Sequence, residues 1–371
     1  MSGDIVVFGA TGYTGELVSE ALVERGVKPV LAARNQAKLD ALAGRLGGGL
    51  ETRVGDVGSP DSVRALVSRG DVLVATVGPF VRWGAPAVEA AIAAGVHYLD
   101  STGEGPFIQD VFERYGGGAQ AAGCGLVTAF GYDWVPGNLA AALAVGEAGP
   151  DAIRVDSGYF ITGEAVGGMS GGTKASAAGV LTRTTYAYRG GRLVDERGAK
   201  RLRTFDVRGR RRPAISIGSS EQFALPAQFP QLREVNTYLG WFGGLSRFMQ
   251  VQSAAFTGLG KVPGVQSGLE NLLGRVIRGS TGGPDAEARA TANSHVVATA
   301  YDASGRELAT ATVTGIDGYS FTGRILAWGA QRALAGGLEG TGALGPTQAF
   351  GVDGLRDGCA EVGLTAQVTR A

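Results

Sequence analysis

Ile5-Val6-Val7-Phe8-Gly9-Ala10-Thr11-Gly12-Tyr13-Thr14-Gly15 opens the chain with an apolar run that ends in regularly spaced glycines. Four apolar residues read as a buried parallel strand, and Glu16 to Arg25 reads as the helix that follows it. A strand that ends in glycines and opens a helix lets the backbone approach a pyrophosphate, with helix N-terminal N–H groups aimed at the anion. The spacing is G-x-x-G-x-x-G, a relative of the G-x-G-x-x-G fingerprint, and its place between strand and helix gives it weight. Gly9, Ala10, Thr11, Gly12, Tyr13, Thr14 and Gly15 are therefore the first candidate cofactor-binding residues.

The next strand, Lys28 to Arg34, ends in an arginine. An NAD site places an acid about 20 residues past the glycines to accept from the ribose 2′-hydroxyl, whereas an arginine there pairs with a 2′-phosphate. Arg34, with Asn35 and Lys38 beside it, points to NADP(H); the alternative is an arginine that caps a strand end in solvent. The alternation continues through helix 36–46, strand 51–54, helix 59–68, strand 71–77, helix 85–94, strand 96–100, helix 107–121 and strand 125–130. Six strands with intervening helices predict a Rossmann-type, doubly wound α/β sheet over residues 1–137. Ligands lie at the carboxyl ends of such strands, which brings in Asp56, Val77, Gly78, Pro79, Phe80, Ser101 and Gly103. Asp56 reads equally well as a turn aspartate.

Composition excludes several classes. Among 371 residues, 34 Lys and Arg balance 34 Asp and Glu, so no net charge favours nucleic acid. Cys124 and Cys359 lie far apart in apolar settings, and with His97 and His295 as the only histidines no metal site is expected. No apolar run is long enough to span a bilayer and the first residues carry no signal-like pattern, so a cytoplasmic location is expected. The basic stretch Lys200 to Arg212 alternates charged and apolar residues, as two exposed strands joined by a turn would.

The motifs resemble the NADP-binding domain of the saccharopine dehydrogenase-like family, including its trans-acting enoyl reductase branch. They are Gly9 to Gly15, Ala32-Ala33-Arg34, Val77-Gly78-Pro79-Phe80 and His97-Tyr98-Leu99-Asp100-Ser101-Thr102-Gly103-Glu104. Gly131-Tyr132-Asp133-Trp134-Val135-Pro136 is similar to the family's Gly-Phe-Asp-Ser-x-Pro loop and departs from it at Tyr132 and Trp134. Ser170 to Ser176 is similar to its Ser-Gly-Gly-Thr segment. The resemblance implies an α+β substrate domain with a mixed sheet over 138–344, and a segment 345–371 that returns to the first domain. Rival families lack support: no tyrosine begins the Tyr-x-x-x-Lys of short-chain dehydrogenases, and Cys124 lacks the setting of a nucleophile.

Hydride transfer needs positioning of the cofactor, a proton donor and stabilisation of developing charge. The loops at the strand ends offer Tyr132 as donor, with Asp133, Lys174, Thr173 and Glu104 as further candidates. Asp133 reads equally as a loop brace and Lys174 as a solvated lysine; His97 and His295 read as core residues. Tyr238 to Met249 is rich in aromatics and reads as core, dimer interface or the wall of an acyl-chain site. The expected function is NADPH-dependent reduction of a conjugated C=C bond in a lipophilic or polyketide-like small molecule, with a carrier protein as a candidate partner. A saccharopine-type imine reductase, with Arg154, Arg183 and Arg189 holding carboxylates, and a non-catalytic NADPH-binding scaffold remain alternatives.

Overall fold

The computed structural model of the chain describes residues 3–163, 184–241, 243–259 and 282–371. Two compact units emerge, one formed by Met1–Val135 with Gly318–Gly363, the other by Pro136–Asp317 with Leu364–Ala371.

In the first unit β1 (Ile5–Phe8), β2 (Val30–Ala33), β3 (Thr52–Val54), β4 (Val72–Ala75), β5 (His97–Asp100) and β6 (Gly125–Val127) form a parallel sheet in the order β6-β5-β4-β1-β2-β3. The two-residue strand Gly342–Ala343 extends it beyond β6. β1, β2 and β4 are buried at every position, which is why their sequences are apolar throughout and do not alternate. One core gathers Phe8, Leu73, Val88, Tyr98 and Phe107.

Helix α1 (Tyr13–Glu24) packs along the helix Gly318–Leu334, which the sequence reading had placed in the second domain. The approach depends on a missing side chain: a Cβ on Gly323 would stand 2.9 Å from the Cβ of Leu17. Further along, Gly329 lets the helix settle on Phe130, and Phe350 packs against both Phe130 and Trp328, with ring centroids 5.1 and 5.0 Å away. The return to the first unit thus begins at Gly318, well before residue 345. The last strand, Leu364–Arg370, departs from the expected return as well, because it pairs within the second sheet.

Among the described residues the second unit holds a mixed sheet of nine strands. It contains β7 (Arg154–Gly163), β8 (Thr184–Arg189), β9 (Arg192–Arg197), β10 (Leu202–Val207), β11 (Arg210–Ile217), β12 (Glu234–Leu239), β13 (Ala292–Tyr301) and β14 (Glu307–Gly315), plus the final strand. β12 runs parallel to β7, and the remaining pairings are antiparallel. β10 and β11 form the hairpin expected of the basic stretch, turning at Arg208-Gly209. Period-two alternation sends Phe160 to the face that holds Phe205, Tyr238 and Val297, and Tyr159 to the opposite face. No described helix is long and apolar enough to cross a membrane.

Candidate active site at the carboxyl edge of the parallel sheet

The glycine turn is built by three close approaches. Gly9 sits at φ +91°, a conformation L side chains rarely adopt, and the N–H groups of Gly9 and Ala10 donate to the Ala32 carbonyl at 2.8 and 3.1 Å. Gly12 N–H donates to the Gly9 carbonyl at 2.9 Å, and a Cβ on Gly15 would lie 2.1 Å from that same oxygen. Thr76 closes the turn from β4, its hydroxyl reaching the carbonyls of Phe8 and Gly9. Gly12 is the N-cap of α1 and makes no side-chain cap bond, and the helix starts at the carboxyl edge of the sheet. A dinucleotide pyrophosphate fits the N–H donors of such a helix start.

Arg34 is exposed at the end of β2, adjacent to β1. Its neighbours are partly committed: the Asn35 side chain caps the next helix by accepting from Lys38 N–H at 3.0 Å. Asp56 accepts from Gly58 N–H at 2.8 Å, the geometry of a turn aspartate, and its own N–H donates to Ser62 Oγ. Lys38 is exposed.

The loops after β4 and β5 are tied by Glu104. Its two carboxylate oxygens accept the N–H groups of Phe80 at 2.9 Å and Val81 at 3.1 Å, capping the short helix Phe80–Trp83 that follows Val77, Gly78 and Pro79. This carboxylate is therefore engaged as a cap. Gly103 leaves room for Asp133, since a Cβ there would stand 3.1 Å from Asp133 Oδ2. Ser101 is half-buried beside them.

Tyr132 is 5% exposed, with its N–H donating to Thr322 Oγ1 at 3.0 Å. Thr322 in turn donates to the Gly318 carbonyl, and Gly318 lies against the Tyr132 ring. The first turn of this helix also brings Tyr319 edge-on to Tyr13 of the glycine turn, with centroids 5.3 Å apart. Gly318, Tyr319 and Thr322 fall within 138–344, the span expected to form the second domain, and local sequence carries no sign that they meet the glycine turn and Tyr132.

The sheet thus gathers Gly9 to Gly15, Val77 to Phe80, Ser101, Gly103, Tyr132 and Asp133 at the ends of neighbouring strands, with Arg34, Asn35, Lys38 and Asp56 on the β2–β3 side. Thr173 and Lys174 lie outside the described residues, as does Arg183. His97 accepts from Gly125 N–H at 3.0 Å and laces β5 to β6. No group of metal-ligating side chains occurs among the described residues.

Residues 5–124 match the family model described as saccharopine dehydrogenase NADP binding domain. Across 301 residues the chain is 31% identical to Rv2449c of Mycobacterium tuberculosis, whose name assigns it provisionally to the trans-acting enoyl reductases, covering 74% of this chain and 72% of that protein. The chain belongs to the trans-acting enoyl reductase family. A trans-acting enoyl reductase of Mycobacterium leprae is 36% identical over 141 residues, 37% of this chain and 34% of its own length. Apo saccharopine dehydrogenase (L-Glu forming) from Saccharomyces cerevisiae superposes with a TM-score of 0.62 over 99% of this chain and 100% of that one; at 13% identity, this shows the shared fold. Like its family, the chain is an NADP(H)-dependent oxidoreductase. The cofactor, when bound, would supply the hydride; the glycine turn and the start of α1 are the candidate residues for holding it.

Proposed function

We propose that this family member reduces a C=C bond conjugated to a carbonyl in an acyl or polyketide-like substrate. The observation that carries the reading is the identity to enoyl reductases over about three quarters of the chain. In the proposed reaction hydride reaches the β-carbon, the electron pair moves toward the carbonyl oxygen, and the α-carbon takes a proton. Tyr132 is the proposed proton donor, with Asp133 beside it on the same loop; Lys174 remains a proposed partner of the donor. Arg34 is the proposed partner of the 2′-phosphate. The exposed side chains of Leu245, Phe248 and Val251 in the second unit supply apolar surface for an acyl chain, whether free or carried by a carrier protein.

Occupied arginines weigh against the imine-reductase reading. A substrate with several carboxylates needs unpaired arginines, but Arg154 faces Asp156 at 3.6 Å and Arg189 pairs with Glu234. A decisive experiment offers 4-deuterated NADPH with a 2-enoyl thioester and, separately, with an amino acid plus an oxo-acid. Deuterium at the β-carbon of the saturated thioester is the expected result. Cofactor oxidation only with the amino acid and oxo-acid would replace the reading with imine reduction.

A further inference from the structure

Asp100, the last residue of β5, is fully buried and directly precedes Ser101, yet neither the cofactor reading nor the proposed reaction gives it a role. Its Oδ1 accepts the N–H groups of Thr102 at 2.8 Å and Ala129 at 2.9 Å, and its Oδ2 accepts the Thr128 hydroxyl at 2.8 Å. Its own carbonyl accepts Phe130 N–H at 2.7 Å. One residue therefore fastens two loops. The loop 101–104 runs from Thr102, whose hydroxyl accepts Glu104 N–H at 3.1 Å, to the Glu104 cap on Phe80 and Val81. The loop 128–134 runs from Ala129, whose carbonyl accepts Trp134 N–H at 2.9 Å, through Tyr132 and Asp133.

Ala129 shows why a clamp is needed. It sits at φ +58°, a left-handed conformation that an alanine adopts only when its surroundings hold it. A carboxylate that receives three donors supplies charge-assisted bonds of that kind. Among the charged and titratable neighbours, Tyr98 lies on the same strand, Glu104 is turned to the helix it caps, and Asp133 lies against Gly103.

We propose that Asp100 is a positioning residue for the reduction: its carboxylate locks the loops 101–104 and 128–134 into the one arrangement that presents Tyr132 and Asp133 to the reacting atoms. The proposal rests on the enoyl-reduction reading for the identity of those atoms. The glycine turn itself is built on β1, β2 and β4, so the clamp reaches cofactor affinity only through the loop 101–104 and its Glu104 tether, and should change it less than it changes turnover.

The test uses the full chain as wild type, Asp100→Ala and the milder Thr128→Val, which removes one donor and guards against a failure of the first variant to fold. NADPH affinity is measured by nicotinamide fluorescence, kcat and KM with a 2-enoyl thioester of coenzyme A, and loop order by the emission of Trp134, isolated by subtracting the spectrum of Trp134→Phe. The expected result is NADPH affinity within threefold of wild type in Thr128→Val, which leaves the 101–104 loop bonded to Asp100, and a loss of no more than several-fold in Asp100→Ala, which releases it. With it, kcat falls at least tenfold in Asp100→Ala and at least threefold in Thr128→Val at little-changed KM, and Trp134 emission shifts to the red. Unchanged kcat and emission in both variants would overturn the proposal. A parallel fall of kcat, NADPH affinity and melting temperature in both would also overturn it, by making Asp100 a general structural residue. If wild type leaves NADPH unoxidised with the thioester, the enoyl reading fails, while the emission of Trp134 with NADPH bound still tests the clamp.

Discussion

Glu104 accepts the backbone N–H of Phe80 at 2.9 Å, joining the loop after β5 to the turn after β4. Its second oxygen holds Val81 N–H, so the carboxylate does the work of a helix cap. Glu104→Ala should lower stability by about 1–2 kcal/mol and weaken NADPH binding several-fold, because the Val77–Phe80 turn loses its tether. Glu104→Gln, which keeps one acceptor, should fall in between. Thermal melts and a nicotinamide fluorescence titration read both effects. Loss of turnover in Glu104→Gln with cofactor binding and melting intact would instead mark it as a proton donor.

Gly15 has no room for a side chain and Gly44 has ample room. Gly15→Ala forces the start of α1 off the Gly9 carbonyl, so stability should fall by about 1–3 kcal/mol and NADPH affinity at least tenfold. Gly44→Ala, in the exposed helix Gln36–Arg45, is the control. It should stabilise by roughly 0.5–1 kcal/mol and leave binding alone. Paired chemical denaturation and cofactor titration separate the two.

Arg34→Ala should weaken NADPH binding tenfold or more and leave NADH binding unchanged, since the guanidinium is proposed to act only on the 2′-phosphate. Comparing the two dissociation constants in the same buffer checks it. Equal losses for both cofactors would remove Arg34 from the 2′-phosphate role.

Glu221 is buried completely in the second unit, where it accepts the Tyr159 hydroxyl at 2.7 Å. Burial lifts its carboxyl from 4.5 to about 7. An acid whose folded pKa is raised binds its proton more tightly in the native state, so its contribution is fully present below about pH 4.5 and is lost as pH rises toward 7. Glu221→Gln keeps an acceptor for Tyr159 and removes the ionisation. Relative to wild type, the variant should gain on the order of 3 kcal/mol between pH 4 and pH 8. Denaturation curves of both proteins at the two pH values measure the gain, and parallel curves would refute it.

Much of the first unit was legible because its signals are local. A buried parallel strand must be apolar at every position, as Val72–Ala75 is, and a turn that presses a helix against a strand end must be glycine, as Gly9 and Gly15 are. The candidate site was legible where position along a strand decides it, at Val77 to Phe80 and Ser101 to Gly103. Asp56 could be read two ways: its bond to Gly58 N–H is that of a turn residue, and a contact to the adenine remains a proposal. Glu104 looked like a candidate acid because a carboxylate near a strand end carries no sign of which backbone N–H groups it will meet.

Sequence by itself determined the strand–helix alternation, the glycine turn and the arginine at the end of β2, each written in the spacing of neighbouring residues. Tertiary structure alone decided that the helix Gly318–Leu334 packs on α1 while Leu364–Arg370 joins the other sheet. An apolar helix face or an alternating strand specifies that something must cover it, and the partner is chosen by contacts hundreds of residues away, such as Gly323 against Leu17. The same holds for Asp100: its sequence neighbours reveal a strand end, and only the fold brings Thr128 and Ala129 to its carboxylate.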